Sequence, residues 1–460
     1  MSDIKKTEPT HKNNILADAS LYRSVWRWHF YAGILVAPFL IILAITGSIY
    51  LFAPQIEQTM YQEYYDVEPQ GDKISASEQL EAVAQAYPDA IITKYRPGED
   101  EARSSEATIS IENETHTIFI NPYSGELIGS LNNEDRIMDK ISEFHGELTA
   151  GTIGDRIVEL ATCWAIVLIV TGFFLWAPRK KPNIFGTFLM RFNKGKKIFR
   201  RDLHVVPAVW ISAGMLFLIF TGLPWSGFWG TNFQTAVTNT GAGYPPAAWF
   251  GSISAPDSIV QTKSITEVPW AAETLKVPNS DVQDFVPISI DEVVSTANRQ
   301  GLHPSYSISI PNTKEGVFTL TAFPPKAKDE ITMHIDQYSG AVLTDYRFDH
   351  YGFIGKVIAT GITLHKGTEF GLINQLISLF ICLGIILIVV SGIYLWLKRK
   401  PKKEMGAPKA PKAFKKTPFF ITLIVLGLIF PLVGLSIIVV WLLDFFVIQR
   451  IPAVKKFLNA

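Results

Sequence analysis

The sequence predicts a membrane protein, mainly α-helical, with four to five transmembrane helices arranged as two span–module–span repeats. Three observations predict this class. Apolar residues make up 48% of the 460-residue chain, and they cluster in blocks of twenty or more, long enough to cross a bilayer. Lys and Arg cluster in short segments between the blocks. A pattern of histidines and [ST]-Gly pairs in the first half recurs in the second half.

The apolar blocks define the predicted spans and the segments between them. The confident spans are 27–52, 156–178, 204–229 and 370–397. The block 418–447 is long for one crossing and contains Pro431, so we expect one tilted or kinked helix there, with a re-entrant hairpin as the alternative. The remaining segments are a tail at 1–26, loops at 53–144 and 230–364, linkers at 179–203 and 398–417, and a tail at 448–460.

The sorting of charge predicts the topology. The segment Ala177–Asp202 contains nine Lys and Arg against one acid, and the segment Leu397–Pro418 has the same numbers. The loop 53–144 contains 19 acids and six bases. By the positive-inside rule both linkers and the amino terminus face the cytoplasm, whereas both long loops lie outside. The first span has no cleavage site behind it, which predicts an uncleaved anchor. Cys163 and Cys382 lie inside spans, so no disulfide is expected.

Four histidines precede small hydroxyl residues at matched distances. The distance is 17 residues in the two outward-going spans and 26 residues ahead of the two inward-going spans: His29–Thr46, His204–Thr221, His145–Thr171 and His365–Ser391. Each hydroxyl residue is followed by Gly. Two independent spacings in the same order indicate an internal duplication. The [ST]-Gly pairs are expected to permit close helix packing, or else to leave room for a flat macrocycle.

The outer loops repeat as well. "THTIFINPYSGELIGS" and "ITMHIDQYSGAVLTD" each predict two strands joined by a Tyr-Ser-Gly turn, and a helix-like stretch precedes each. Each loop therefore predicts a small α+β module. His116 and His334 lie in these hairpins and are expected at the surface. The extra segment 230–285 is rich in Pro, Gly and Trp, and the sequence pattern assigns it no structure.

These units resemble the PepSY-associated transmembrane proteins. The resemblance rests on the "YSG" hairpins, a histidine ahead of the second span and a [ST]-G-x-x-x-W near its end, and it covers most of residues 20–445. The family includes bacterial inner-membrane ferric-siderophore reductases that carry b-type haem. The resemblance implies a periplasmic PepSY-like module in each outer loop, a location in the bacterial inner membrane, and haem b within the membrane.

Topology determines which histidines can share a ligand. His29 and His204 begin outward-going helices and lie near the cytoplasmic face, whereas His145 and His365 precede inward-going helices and lie near the periplasmic face. A 17-residue helical stretch rises about 25 Å, so the histidines of one repeat cannot meet. A lone histidine at a span end is more often only an interfacial residue. The matched pairs, together with the resemblance, predict two haem b groups held by His29/His204 and His145/His365.

Other residues near these levels have two interpretations each. Arg27, Arg200 and Arg201 set the topology, or they neutralise haem propionates. The aromatic cluster from Leu223 to Phe233 forms a membrane belt, or a ledge for a siderophore. His350 is a candidate substitute for the periplasmic ligand, but its counterpart by spacing in the first repeat is Ser130, which argues against that role.

The function predicted from these features is electron transfer across the membrane to a ferric-siderophore or other ferric complex. Reduction releases iron because hard oxygen donors bind Fe(III) better than Fe(II). The sequence has no Rossmann fingerprint or P-loop, so the electron donor is expected to be a separate cytoplasmic reductase or a membrane quinol, and no nucleic-acid partner is expected. Two alternatives remain: a non-enzymatic sensor or protease modulator, and a permease for an iron complex. A permease would need polar residues in mid-span, and the spans show almost none.

Overall fold

The computed structural model describes residues 9–112, 114–177, 184–243, 261–280, 286–401, 404–407 and 416–459. The chain divides into two compact units. The first, here called the membrane unit, comprises Met1–Ser48, His145–Thr231 and Ser378–Ala460. The second, here called the sheet unit, comprises Ile49–Phe144 and Asn232–Ile377. The segment 230–285, to which the sequence assigns no structure, lies partly outside the described residues, and its described part includes most of the helix Trp229–Asn239.

In chain order, the helices are α1 (Pro9–Tyr50), α2 (Ala53–Met60), α3 (Gln62–Tyr65), α4 (Ala76–Ala86), α5 (Ile137–Glu147), α6 (Gly151–Trp176), α7 (Lys196–Gly222), α8 (Trp229–Asn239), α9 (Ile290–Arg299), α10 (Phe353–Lys366), α11 (Leu372–Arg399), α12 (Lys416–Ile429), α13 (Pro431–Leu443) and α14 (Pro452–Leu458). The strands are β1 (Ile91–Arg96), β2 (Ser105–Ile111), β3 (Glu114–Ile120), β4 (Leu127–Asn132), β5 (Ser307–Ser309), β6 (Val317–Ala322), β7 (Ile331–Asp336) and β8 (Val342–Arg347).

Five helical segments in the described part of the chain are long and apolar enough to cross a membrane. They are Ser20–Tyr50, Gly151–Trp176, Lys196–Trp225, Leu372–Arg399 and Pro431–Ile448. The chain is therefore a multi-pass membrane protein, and four of these segments overlap the predicted spans. Helix α1 begins at Pro9 and not near residue 27, because no Pro or Gly interrupts the stretch that follows Pro9.

The fifth apolar block is not one kinked helix. Helices α12 and α13 fold back on each other at Phe430, where a Cβ added at Gly434 would lie 2.5 Å from Cα of Gly427. Pro431 disfavours helical dihedrals at the residue before it, and Phe430 is extended in ψ at 83°. The block 418–447 therefore comprises two helices that reverse direction at Phe430, and whether it crosses the membrane or re-enters it stays a prediction.

The carboxyl terminus returns to the basic-linker end of the membrane unit. The indole Nε1 of Trp229 donates to the carbonyl of Ile429 at 3.1 Å, which places the hairpin turn beside the start of α8. At the other end of α13, Arg27 donates to the carbonyl of Asn459 at 2.8 Å. The backbone N–H of Met405 donates to the carbonyl of Phe457 at 2.8 Å. Helix α14 is thus fixed next to the start of the first span.

The sheet unit contains one eight-stranded antiparallel sheet in the order β4-β3-β2-β1-β5-β6-β7-β8. The sequence predicts two separate modules, whereas the structure joins them through β1 and β5, where Lys94 pairs with Ser309 and Tyr95 with Ile308. Tyr95 and Ile308 are 2% and 0% exposed, so the junction is buried. Two isolated modules would each expose an unpaired edge strand, and this pairing removes both edges.

Both halves of the sheet use the same local chemistry. Gly125 and Gly340 of the Tyr-Ser-Gly turns have φ of 74° and 69°, a conformation that favours glycine. The helices that precede the strands, α4 and α9, begin after Ser75 and Ser289, whose hydroxyls accept from the backbone three residues on. The predicted helix–hairpin order is therefore present in each half.

One prediction in the sheet unit is wrong. His334 is not a surface residue; it is 0% exposed and its Nδ1 lies 3.1 Å from the hydroxyl of Thr319. Burial lowers the pKa of His334 to about 4. The sequence does not indicate the burial of His334, because β7 is buried on both faces. A strand of that kind lacks the strict alternation of polar and apolar residues. His116, its partner in spacing, is half-buried and lies 3.2 Å from Glu114.

The hairpin and the charge sorting together predict a labelling pattern. In a chain whose Cys163 and Cys382 are replaced by Ala, Ser124→Cys should react with an impermeant maleimide added outside cells. Asn193→Cys and Lys456→Cys should react only after permeabilisation, because α13 returns the carboxyl terminus to the linker side. All three positions are exposed.

The labelling at residue 456 separates the two interpretations of the fifth apolar block. A single crossing would place Lys456→Cys on the outside with Ser124→Cys. Labelling of both from outside would therefore contradict the hairpin, and labelling of Asn193→Cys from outside would overturn the topology.

Candidate functional site

His29 lies on α1 and is bound by the [ST]-Gly pair of α6. Its Nδ1 lies 2.9 Å from the hydroxyl oxygen of Thr171. A Cβ added at Gly172 would lie 3.3 Å from Cε1 of the ring, which is closer than side chains normally pack. The hydroxyl therefore fixes the imidazole at one edge, and the glycine leaves space for the ring against the helix backbone.

His204 on α7 is bound in the same way by α11. Its Nδ1 lies 2.9 Å from the carbonyl oxygen of Ile388 and 3.4 Å from the hydroxyl of Ser391. A Cβ added at Gly392 would lie 3.1 Å from Cε1 of His204. The contact again combines a polar atom with a glycine that no larger residue could replace without movement.

His145 completes a third arrangement of this kind. It lies on α5, in the last turn before the connection to α6, and its Nδ1 is 2.8 Å from the hydroxyl of Thr46 on α1. A Cβ added at Gly47 would lie 3.3 Å from Cε1 of His145. We call each such combination of a histidine, a hydroxyl residue and the following glycine a histidine socket.

The hydrogen bonds of the sockets determine which ring nitrogen carries the proton. A carbonyl oxygen only accepts, so Nδ1 of His204 must donate to Ile388. The hydroxyl of Thr171 donates to the carbonyl of Val167 at 2.7 Å, so its oxygen accepts from His29. Thr46 donates to Ile42 at 2.8 Å and accepts from His145 in the same manner. In a neutral ring with a proton on Nδ1, Nε2 carries the lone pair that binds a metal.

His29 and His204 lie on two helices of the membrane unit, α1 and α7. In the part of the chain that the structure describes, no cluster of three or more His, Cys, Asp or Glu side chains could hold a metal ion. A structural zinc site needs three or four such ligands, whereas two imidazoles suffice for axial ligation of a haem iron. The donor set of His29 and His204 fits the second kind of site.

His365 lies in the sheet unit, in the last turn of α10. The helix ends at Gly367, whose φ of 80° is left-handed, and the amide of Asn374 on α11 donates to the carbonyl of Leu364 at 2.9 Å. These contacts fix the end of α10 and with it the backbone of His365. The pairing of His365 with His145 stays a prediction.

His350, the predicted substitute ligand, has a local role. Its Nδ1 accepts from the backbone N–H of Arg347 at 3.2 Å and so caps the short turn Phe348–His350. An Nδ1 that accepts leaves the proton on Nε2 of a neutral ring, the tautomer opposite to that of the sockets. His350 therefore has a role in the local fold that its position in the sequence did not reveal.

The three arginines near His29 and His204 in the sequence differ in their contacts. Arg27 binds the carbonyl of Asn459. Arg201 lies 3.6 Å from Asp202, which is fully buried. Arg200 lies over the ring of Tyr394, 5.6 Å from its centroid. Arg27 and Arg201 thus have protein partners that their positions in the sequence do not reveal.

Sequence reasoning missed two carboxylates at the start of α6. Glu159 is 2% exposed and accepts from the backbone N–H groups of Phe228 and Trp229, at 2.9 and 3.1 Å. Asp155 accepts from the N–H of Gly227 at 3.0 Å. These bonds fix the aromatic cluster Leu223–Phe233 and satisfy the first amides of α8. The available signal was the presence of acids inside an apolar span, which is costly unless they are bonded.

The fold and the sockets define a class: a multi-pass membrane protein with three histidines held against glycines of neighbouring helices and a sheet unit inserted between spans. Comparison with known families agrees. The model of the PepSY-associated TM region matches residues 26–399. The chain belongs to this family. A search of curated proteins found no match.

The sockets predict an effect of adding one methyl group. Gly47→Ala should lower the thermal unfolding temperature, because the new Cβ lies 3.3 Å from the ring of His145 and overpacking costs about 1–3 kcal/mol. Gly33→Ala on the same helix is the matched control, since its Cβ would lie 3.9 Å from Leu168, an ordinary contact. Alanine also favours helix, so the control should be neutral or stabilising. Equal unfolding temperatures for the two variants would contradict the socket at Gly47.

Proposed function

We propose that this protein is a di-haem b electron carrier of the bacterial inner membrane that reduces ferric-siderophore or other ferric complexes in the periplasm. His29 and His204 would hold one haem, and His145 and His365 the other. When bound, a b-type haem supplies a one-electron carrier whose potential depends on its axial ligands and their hydrogen bonds. The observation that carries the proposal is the recurrence of the histidine socket at three positions.

The sockets support ligation more than an interfacial role. An interfacial histidine needs only water or headgroups as partners, and it has no reason to be held at one nitrogen against a glycine. Metal-binding histidines characteristically donate their other ring N–H to a carbonyl or another oxygen, which fixes the tautomer and the ring plane. His29, His145 and His204 all meet this description.

The remainder of the chain favours a reductase over a transporter or a sensor. A permease needs polar groups along a path through the membrane. The buried acids of α6, Asp155 and Glu159, are already bonded to backbone amides and do not supply such a path. A sensor or protease modulator would use the sheet unit for binding and would not require sockets within the helices. The electron donor in this proposal is a cytoplasmic reductase or a membrane quinol.

The proposed substrate follows from the chemistry of ferric complexes in the periplasm. Siderophores bind Fe(III) through hard oxygen donors, and one added electron weakens those bonds. The protein binds and positions the complex and supplies the electron; release follows from the lower affinity for Fe(II). The aromatic rings of Trp225 and Phe228 are exposed, and the backbone N–H of Phe228 is bound by Glu159 of α6; these two rings would contact an apolar siderophore scaffold.

We expect protein purified from haem-replete cells to show a low-spin b-type spectrum, with pigment that acid acetone extracts. His29→Ala and His204→Ala should each remove the same low-spin centre, and His145→Ala and His365→Ala should each remove the other. Within a pair the double variant should match a single one, because losing one axial ligand already breaks bis-histidine ligation. Haem stoichiometry and the low-spin signal are the measurements.

His116→Ala is the control for these variants, since His116 lies in the sheet unit beside Glu114 and should leave both centres intact. Ferric-complex reduction should fall in all four single variants if both centres act in series. Loss of one shared centre in His29→Ala and His145→Ala would refute the pairing. Unchanged haem content in all four single variants would show that the histidines are only interfacial residues.

The hydroxyl of a socket should affect how strongly its histidine holds haem and the reduction potential of that haem. Thr171→Val keeps the volume but removes the oxygen that accepts from Nδ1 of His29 at 2.9 Å. Loss of such a bond typically lowers metal affinity about 10–100-fold, and we expect weaker haem retention and a shifted reduction potential for one centre only. Thr171→Ser restores the oxygen and should restore both. A valine variant with unchanged retention and potential would show that Thr171 serves helix packing alone.

A further inference from the structure

An apolar groove lies on the side of the membrane unit between α7 and α11. It encloses about 740 Å³ and is roofed by the stretch Phe185–Phe192. Val206 and Trp210 on α7 and Leu383 and Leu387 on α11 form its walls. Every side chain that lines it is apolar or aromatic.

Hydrogen bonds at the edge of the groove hold the stretch Phe185–Phe192 in place and direct its polar atoms away from the groove. The indole Nε1 of Trp210 donates to the carbonyl of Phe188 at 3.1 Å. The guanidinium of Arg191 binds Asp202 of α7 through two N–H groups, at 2.7 and 2.8 Å, and Asp202 is 0% exposed. The groove is thus a built feature of the fold, held by a buried ion pair and an indole hydrogen bond.

Two cationic side chains, Arg200 and Lys398, lie beyond the end of the groove that is nearer the basic linkers. Residues seven apart lie on nearly the same face of a helix, two turns along it. Arg200 precedes Pro207 of the groove by seven residues, and Tyr394 follows Leu387 by seven. Arg200 lies 5.6 Å and Lys398 5.7 Å from the centroid of the Tyr394 ring. The walls of the groove therefore lead to a pair of cations on one tyrosine.

Among the described residues, neither Arg200 nor Lys398 forms an ion pair with a carboxylate, whereas Arg191 and Arg201 do so with Asp202. Both cations lie within 6 Å of the centroid of one ring, so an anion beside that ring would be attracted by both charges. Charge complementarity thus points to a ligand with an anionic head and an apolar tail.

We propose that this groove binds an anionic diacyl phospholipid, with an acyl chain against Val206, Trp210 and Leu383 and its phosphate between Arg200 and Lys398. Basic pockets between transmembrane helices at the cytoplasmic side recognise anionic headgroups in this way. A quinol would use the apolar walls but carries no anionic head, so it would leave the two cations unneutralised. The proposal does not rest on haem binding.

The test uses the full-length protein in detergent and measures binding of dioleoyl phosphatidylglycerol by native mass spectrometry, with dioleoyl phosphatidylcholine as the zwitterionic lipid of equal chain length. The double variant Arg200→Gln/Lys398→Gln should lose phosphatidylglycerol binding by about tenfold or more, since each cation near a headgroup contributes. Lys194→Gln/Lys197→Gln removes the same charge from exposed positions of the linker and should bind as the parent does.

A second variant tests the groove with its charges intact. Leu383→Trp fills the wall and should weaken phosphatidylglycerol binding although Arg200 and Lys398 remain. Equal loss in the two charge variants, equal binding of the two lipids, or displacement of the lipid by a quinone would overturn the proposal. So would unchanged lipid binding in Arg200→Gln/Lys398→Gln accompanied by lost haem, because the cations would then serve propionates.

Discussion

The structure depends on the requirement that an imidazole inside an apolar helix bundle must have its N–H bonded. An unpaired polar group in hydrocarbon costs several kcal/mol, on the order of a protein's whole stability. The chain meets this requirement with an oxygen of the neighbouring helix: the hydroxyl of the residue just before the glycine that admits the ring, or, for His204, the carbonyl four residues before that glycine. The bond joins α1 to α6, α7 to α11 and α5 to α1, so the contacts that satisfy the histidines also hold the helices together.

The sequence predicted the spans and the hairpins because each has a local signature. Periodicity and turn chemistry identify "YSG" hairpins without knowledge of their neighbours. The contacts of the [ST]-Gly pairs cannot be predicted from the local sequence. Thr171 and Gly172 were expected to serve helix packing or to leave room for a macrocycle, and they instead contact His29, 142 residues earlier in the chain. Only the fold brings those residues together.

The errors have the same origin. Pro431 marks a break in the apolar block, but a kink and a reversal look alike in sequence; the approach of Gly427 to Gly434 decides between them. His334 appears exposed in a hairpin read alone, and it is buried because β7 lies between β6 and β8 in a larger sheet. The acids of α6 were visible in the sequence, yet their partners, the amides of Gly227 and Phe228, belong to a different span.

The junction of the sheet has the form of a quaternary contact. The helix caps Ser75 and Ser289 are 214 residues apart, and the same offset relates Lys94 to Ile308 and Tyr95 to Ser309. The observed pairs are Lys94 with Ser309 and Tyr95 with Ile308, so each residue faces the counterpart of its neighbour. This reciprocal arrangement is that of an isologous twofold interface, in which residue i contacts j and j contacts i. A chain with only one half would present the β1 edge in a form complementary to a second copy of itself, and the contact that two such copies would make between chains is made here within one chain.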